Sequence, residues 1–120
     1  MKGSGRYMCT KNELQQILDK MVQAYREMYQ DDICEIYLYG SYARGDYTAE
    51  SDIDLAAVVK GNREKLQESL KRVWEISSDV ELEYGVIVSP TVIPYSEFES
   101  YKYVLPYYRN IVREGVKLSA

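Results

Sequence analysis

Histidine is absent from the 120 residues of the chain, and cysteine occurs only twice. The missing imidazole excludes catalysis by Ser-His-Asp or Cys-His groups. Cys9 and Cys34 are too far apart in the sequence for a CxxC pair, and no histidine or further cysteine is present to complete a zinc site. We expect both cysteines to be reduced thiols. Carboxylates, lysines and tyrosines remain as possible acid–base groups.

Long apolar runs and an excess of basic residues are also missing. No stretch approaches the roughly 20 apolar residues that cross a bilayer. Met1–Tyr7 is not followed by the apolar segment that a signal peptide requires. We therefore expect a cytoplasmic protein.

The net charge of −4 argues against a long nucleic acid as the main substrate, because proteins that bind a phosphate backbone usually carry a basic surface. The length fits one domain over residues 1–120.

Hydrophobic periodicity predicts an α/β fold in which a small mixed sheet of about four strands packs with helices. Thr10 and Glu13 form a capping box for a first helix that ends near Tyr29. The elements predicted after it are strand Ile33–Tyr39, a helical turn Tyr42–Arg44, strand Ile53–Val59, helix Arg63–Ile76, strand Asp79–Tyr84, strand Val86–Ile93, and helices Ser96–Val104 and Pro106–Glu114. Strand Ile53–Val59 is nearly all apolar, so we expect it to be central and buried on both faces.

A Gly-Ser pair follows directly after the first predicted strand. Gly40 has no Cβ and lets a phosphate approach the backbone, where N–H groups and the Ser41 hydroxyl are donors. Taken alone, such a pair is more often a plain turn.

Two aspartates begin the second predicted strand, and ten residues separate the first of them from Ser41. Asp52 and Asp54 occupy alternate strand positions, so their side chains share one face and their Cα atoms lie about 6.6 Å apart. Their repulsion, up to about 4 kcal/mol near a surface, would be relieved by a hard divalent cation such as Mg²⁺ or Mn²⁺. Taken alone, the pair is also compatible with a solvated strand end.

Together these motifs resemble the polymerase-beta-like nucleotidyltransferase superfamily, in particular its minimal stand-alone branch. The resemblance lies in Gly40, Ser41, Asp52 and Asp54 and in the surrounding stretches YGSYARG and SDIDLAAVV, and it extends over almost the whole chain. It implies the polymerase-beta-like fold and an enzyme that uses ATP or another nucleoside triphosphate with two Mg²⁺ ions, Mn²⁺ being possible. A nucleoside monophosphate, expected to be AMP, would pass to a hydroxyl acceptor, and pyrophosphate would leave.

Two further polar residues are interpreted as nucleotide-binding. Arg44 either neutralises a phosphate or pairs with Asp46 or Glu50. Ser51 is expected to cap the entry to the second strand and to orient Asp52.

The resemblance also implies a third carboxylate, on a neighbouring strand, that helps to hold the catalytic metal and accepts the proton of the attacking hydroxyl. Asp79 is the preferred candidate because it opens the predicted strand, with Glu81 and Glu83 as alternates on the same face. The alternative is that all three form a polar strand face.

The acceptor is the least determined part of the prediction. Members of the minimal branch are commonly encoded beside a HEPN-type ribonuclease and act as its antitoxin, and some transfer AMP to a tyrosine of that partner. A HEPN-type protein is therefore the expected partner. The alternatives are transfer to a small molecule such as an aminoglycoside, and a nucleotide-binding antitoxin that acts by contact alone. The chain has thirteen tyrosines, several of them near the C-terminus, which favours an oligomeric or partner surface.

Overall fold

The structure, a computed structural model, describes residues 9–118. The helices are α1 (Lys11–Tyr29), α2 (Ser41–Arg44), α3 (Arg63–Tyr84), α4 (Tyr95–Tyr101) and α5 (Pro106–Glu114), with a 3-10 turn at Gln30–Asp32. The strands are β1 (Ile33–Tyr39), β2 (Ile53–Val59), β3 (Val88–Pro94) and β4 (Val116–Lys117). The segment Met1–Tyr7, used in the argument against a signal peptide, lies outside the described residues. No helix within residues 9–118 combines the length and apolarity needed to cross a bilayer.

The four strands form one mixed sheet in the order β3-β2-β1-β4. β2 pairs antiparallel with β1 and parallel with β3, and β4 pairs antiparallel with β1. The predicted α/β class with a small mixed sheet is confirmed. β2 is central as expected, and every residue in it except Asp54 is buried.

Alternation along the strands divides the core between the two faces of the sheet. One face packs against α1 and α3 through strand residues that include Ile36, Leu38, Ile53, Leu55, Val59 and Val88. The other face packs against α4 and α5 through Tyr37, Ala56, Val58 and Ile93, which contact Phe98, Tyr108 and Ile111. Asp54 alternates in phase with Ala56 and Val58, so it lies on the α4–α5 face.

The capping box predicted for α1 is present. The Thr10 hydroxyl accepts a hydrogen bond from the Glu13 backbone N–H at 3.1 Å, and the Thr10 N–H donates to the Glu13 carboxylate at 3.0 Å. Together these bonds satisfy two of the donors that a helix start leaves unpaired. The helix ends at Tyr29, as predicted.

The predicted strand Asp79–Tyr84 is wrong, because α3 continues through it to Tyr84. Val80 and Tyr84 fit strand alternation, but they also continue the buried helical series of Val73 and Ser77 at spacings of three and four. Leu82, which a half-buried strand would have covered, is 86% exposed. No breaker occurs before Gly85, which ends the helix in the left-handed conformation at φ 74°.

The elements after α3 agree with the prediction more closely. The strand predicted at Val86–Ile93 is β3, and Pro90 is tolerated in it because β3 is an edge strand. The helix predicted at Ser96–Val104 is shorter, and the helix at Pro106–Glu114 is confirmed. The fourth strand of the sheet is β4, a two-residue strand that the sequence did not predict.

Candidate active site

Gly40 joins β1 to α2 in a backbone conformation that essentially only glycine adopts. Its φ is +75° and its ψ is −156°. The Gly40 carbonyl accepts hydrogen bonds from the backbone N–H groups of Ala43 and Arg44, at 3.1 and 3.0 Å, which turns the chain sharply after the strand. A Cβ on this glycine would lie 2.4 Å from the Asp54 Oδ2 atom, so the Asp54 carboxylate lies directly against the Gly40 backbone. The Gly-Ser motif and the second aspartate of the DxD motif therefore meet.

Asp52 and Asp54 also interact electrostatically. Burial of the half-buried Asp54 side chain raises its pKa, and the negative charge of Asp52 raises it further. The positive charge of Arg44 opposes this shift of the Asp54 pKa. The structure thus brings together Gly40, the two aspartates and Arg44 at the end of β1 and the start of β2.

The raised pKa of Asp54 predicts a specific pH dependence of stability. The folded state binds the proton of the Asp54 carboxyl group more tightly than the unfolded state does. The ionised carboxylate therefore destabilises the fold at pH values above the folded-state pKa. Below the unfolded-state pKa the group is protonated in both states, and the destabilisation is absent. We expect Asp54→Asn to raise the unfolding midpoint by a few degrees at neutral pH, with a gain that disappears in acid. Thermal unfolding followed by circular dichroism across pH measures it. Asp79→Asn, at an exposed position on α3, is the control, and a gain that persists in acid would contradict the assignment.

Arg44 binds two carboxylates in the structure. Its guanidinium contacts Asp46 at 3.2 Å and Glu114, on α5, at 3.1 Å. The sequence had left open a phosphate or an ion pair with Asp46 or Glu50. The Asp46 pair is present, and Glu114 is a partner that no local pattern could have identified. These contacts hold the arginine where its positive charge offsets part of the rise in the Asp54 pKa.

Ser51 stabilises the loop that leads into β2. Its hydroxyl accepts a hydrogen bond from the Thr48 backbone N–H at 2.9 Å, and its own N–H donates to the Thr48 carbonyl at 3.1 Å. Both bonds close the turn directly before Asp52.

The three candidates for a third carboxylate do not join the two aspartates. Asp79, Glu81 and Glu83 lie on α3, which packs against the opposite face of the sheet from Asp54. Glu83 forms an ion pair with Lys20 of α1 at 3.9 Å. Among residues 9–118, no group of three or more His, Cys, Asp or Glu side chains is arranged to hold a metal ion. The prediction of a third carboxylate depended on a strand at Asp79–Tyr84. This segment is part of helix α3, so the reason for choosing these three residues no longer holds.

The strand that does neighbour Asp54 carries hydroxyl groups. In the parallel β2–β3 ladder Ser89 pairs with Asp54 and Thr91 pairs with Ala56, so both side chains lie on the α4–α5 face. The Thr91 hydroxyl donates to the Leu55 carbonyl at 2.9 Å. Ser89 is therefore the β3 residue next to Asp54 on this face of the sheet.

A pair of tyrosines links the end of β1 to the start of α5. Tyr39 pairs with Asp54 across the β1–β2 ladder. Its hydroxyl lies 2.9 Å from the hydroxyl of Tyr107 at the start of α5. Sixty-eight positions of sequence separate the two residues, so only the folded structure reveals their contact.

Comparison with known proteins gives consistent similarities. Residues 18–118 match the family model described as a nucleotidyltransferase domain. A candidate protein adenylyltransferase of Methanocaldococcus jannaschii is 34% identical over 98 residues, which cover 82% of this chain and 90% of that protein. Another from the same organism is 34% identical over 80 residues, which cover 67% of this chain and 79% of that protein.

Two solved structures share the fold. One is a toxin–antitoxin complex with AMP-PNP, with a TM-score of 0.54 and 21% identity, covering 85% of this chain and 72% of that chain. The other is a variant of the MntA–HpeT toxin–antitoxin complex, with a TM-score of 0.52 and 22% identity, covering 86% of this chain and 72% of that chain.

Proposed function

The chain belongs to the nucleotidyltransferase domain family, and from this premise we propose that it transfers AMP from ATP to a tyrosine hydroxyl of a HEPN-type partner protein. The observation that carries the proposal is the contact between the two motifs. The Asp54 carboxylate lies against Gly40, where a Cβ would come within 2.4 Å of its Oδ2 atom. An anionic ligand at the Gly-Ser turn would therefore lie beside carboxylates that can hold its counter-ion.

Asp52 and Asp54 are a donor set that fits Mg²⁺. This ion usually takes one or two protein carboxylates and completes its coordination with water and substrate phosphates. A set of two carboxylates is therefore sufficient. Burial and, second to it, the Asp52 charge raise the pKa of Asp54, and a bound cation would stabilise its ionised form. Bound there, magnesium would neutralise the triphosphate and favour attack at its α-phosphorus.

The remaining residues position the nucleotide. Gly40 and Ser41 would bind the β- and γ-phosphates through the backbone N–H groups of the turn and the serine hydroxyl. Arg44, held by Asp46 and Glu114, would add positive charge near the phosphates. Ser51 closes the turn that fixes Asp52. Catalysis by such a site depends mainly on positioning and charge.

A protein acceptor is favoured by several independent observations. Two relatives are candidate protein adenylyltransferases, and the two structural neighbours are toxin–antitoxin complexes, one of them with an ATP analogue. The acidic net charge disfavours a nucleic acid. An exposed surface of three tyrosines and two aliphatic residues is suitable for protein contact. It comprises Tyr101, Tyr103, Val104, Leu105 and Tyr107.

The direct test incubates the purified chain with Mg²⁺, ATP labelled at the α-phosphate and a HEPN-type protein from the same genome. We expect one tyrosine of the partner to become labelled, and a phenylalanine at that position to abolish labelling. Label recovered only on a small-molecule acceptor such as an aminoglycoside, or on no acceptor, would overturn the proposal.

The position of Ser89 gives a second prediction. Ser89→Asp would place a third carboxylate next to Asp54 across the β2–β3 ladder. We expect Mg²⁺ to bind roughly tenfold more tightly, because an added charged ligand strengthens a cation site. Without metal, the extra negative charge should lower the unfolding midpoint. Calorimetric titration and thermal unfolding measure the two effects, with the uncharged Ser89→Asn as control. Equal affinity of both variants would place the metal elsewhere.

A further inference from the structure

Tyr107 is an exposed tyrosine whose position is nevertheless fixed. It is 44% exposed, follows Pro106 at the start of α5, and its hydroxyl lies 2.9 Å from that of Tyr39. The rings of Tyr107 and Tyr39 meet edge-to-face with centroids 5.9 Å apart, and the ring of Tyr108 lies 5.5 Å away. Such arrangements are favourable for aromatic pairs. The Tyr107 hydroxyl is thus held at the sheet while its ring remains open to solvent.

Tyr39, whose hydroxyl contacts that of Tyr107, belongs to the candidate active site. Tyr39 directly precedes Gly40 and is the partner of Asp54 in the β1–β2 ladder. Paired residues on antiparallel strands have Cα atoms about 4.5–5.5 Å apart and side chains on one face. The two phenols therefore lie on the same face as the aspartates.

We propose that Tyr107 is an adenylylation acceptor, so that the chain transfers AMP to its own Tyr107 hydroxyl when no partner is present. This rests on the proposed function and adds a modification site within the chain. The Tyr107 oxygen attacks the α-phosphorus of ATP and forms a phosphodiester bond. The bond between the α-phosphorus and the bridging oxygen breaks, pyrophosphate leaves with that electron pair, and the phenolic proton passes to solvent.

Position distinguishes Tyr107 from two other exposed tyrosines, Tyr103 and Tyr95. Tyr103, which is 70% exposed, lines a depression together with Cys34 and Glu35 near the start of β1. That end of the strand is about 16 Å from Tyr39. Tyr95 lies near Lys60, which follows the far end of β2 from Asp54. Among these exposed tyrosines, Tyr107 has its hydroxyl bonded to a residue that pairs with Asp54.

The test measures the intact mass and the modified residue of the full chain after incubation with Mg²⁺ and ATP alone. We expect the mass of one adenylyl group on Tyr107 of the wild type, at a rate per molecule that does not depend on protein concentration. Tyr107→Phe, which keeps the ring and its packing, should lose the adduct. Tyr95→Phe, which changes an exposed tyrosine near the other end of β2, is the matched control and should keep it. An adduct of equal yield in Tyr107→Phe, or one on another residue, would overturn the inference.

A parallel incubation with the HEPN-type partner separates this inference from the proposed function. If the wild type labels the partner but never itself, the inference fails and the proposed function stands. Labelling of Tyr107 without labelling of the partner would support the inference and remove the partner as acceptor. If neither protein is labelled, both proposals fail.

Discussion

Replacing Asp52 or Asp54 with asparagine is expected to reduce adenylyl transfer by roughly 10³-fold or more, because several kcal/mol of charge stabilisation by the bound metal would be lost. Each substitution keeps the size of the side chain, so the fold should remain intact. Transfer of label from α-labelled ATP to the partner measures the loss, and circular dichroism verifies folding.

The matched control for this experiment is Asp79→Asn. Asp79 was the preferred third carboxylate, but it lies exposed on α3, which packs on the other face of the sheet. We expect its substitution to leave transfer within about twofold of the wild type, as is usual for surface changes remote from a site. Substantial transfer by either Asp52→Asn or Asp54→Asn would remove the aspartate pair from the mechanism. A loss in Asp79→Asn comparable to theirs would restore the predicted third carboxylate.

Gly40→Ala is expected to cause the second largest loss, about 100-fold or more in transfer. The new Cβ would lie 2.4 Å from the Asp54 Oδ2 atom, so the carboxylate must move. Displacement of a catalytic group by about 1 Å can cost on the order of 10²-fold in rate. The backbone at φ +75° and ψ −156° should also destabilise the variant by about 1–3 kcal/mol.

Gly45→Ala separates the displacement of Asp54 from backbone strain. Gly45 also has a positive φ, +89°, but a Cβ there would meet no atom within 4 Å. Its substitution should destabilise the fold while transfer per folded molecule stays near that of the wild type. Denaturant unfolding gives the folded fraction of each variant, and labelled transfer gives the activity. Full activity of folded Gly40→Ala would show that the contact with Asp54 is not needed.

The fold and the centre of the site could be predicted because their signals are local. Each of these signals spans only a few residues of sequence. They are the capping box of α1, the apolar run of β2, the Gly-Ser motif and the DxD motif. β1 and β2 are consecutive strands, joined by the short helix α2 and a loop, and they pair antiparallel, which brings the two motifs together. The resemblance to nucleotidyltransferases that these motifs predicted is confirmed at the level of the family.

The errors and omissions have three physical causes. Val80, Leu82 and Tyr84 alternate as in a strand, yet the same stretch also has the spacing of a helix, and only the packing of α3 against α1 and β3 decides between them. The contacts Tyr39–Tyr107 and Arg44–Glu114 join residues 68 and 70 positions apart, which no local pattern can reveal. A two-residue strand such as β4 is likewise too short to leave a periodic signal.

A crystal structure of the wild-type chain with Mg²⁺ and a non-hydrolysable ATP analogue would test the central claim most directly. We expect the ion on the carboxylates of Asp52 and Asp54, with the triphosphate against Gly40 and Ser41. An ion bound on α3 by Asp79 and Glu83, or a triphosphate on the α1–α3 face of the sheet, would contradict it.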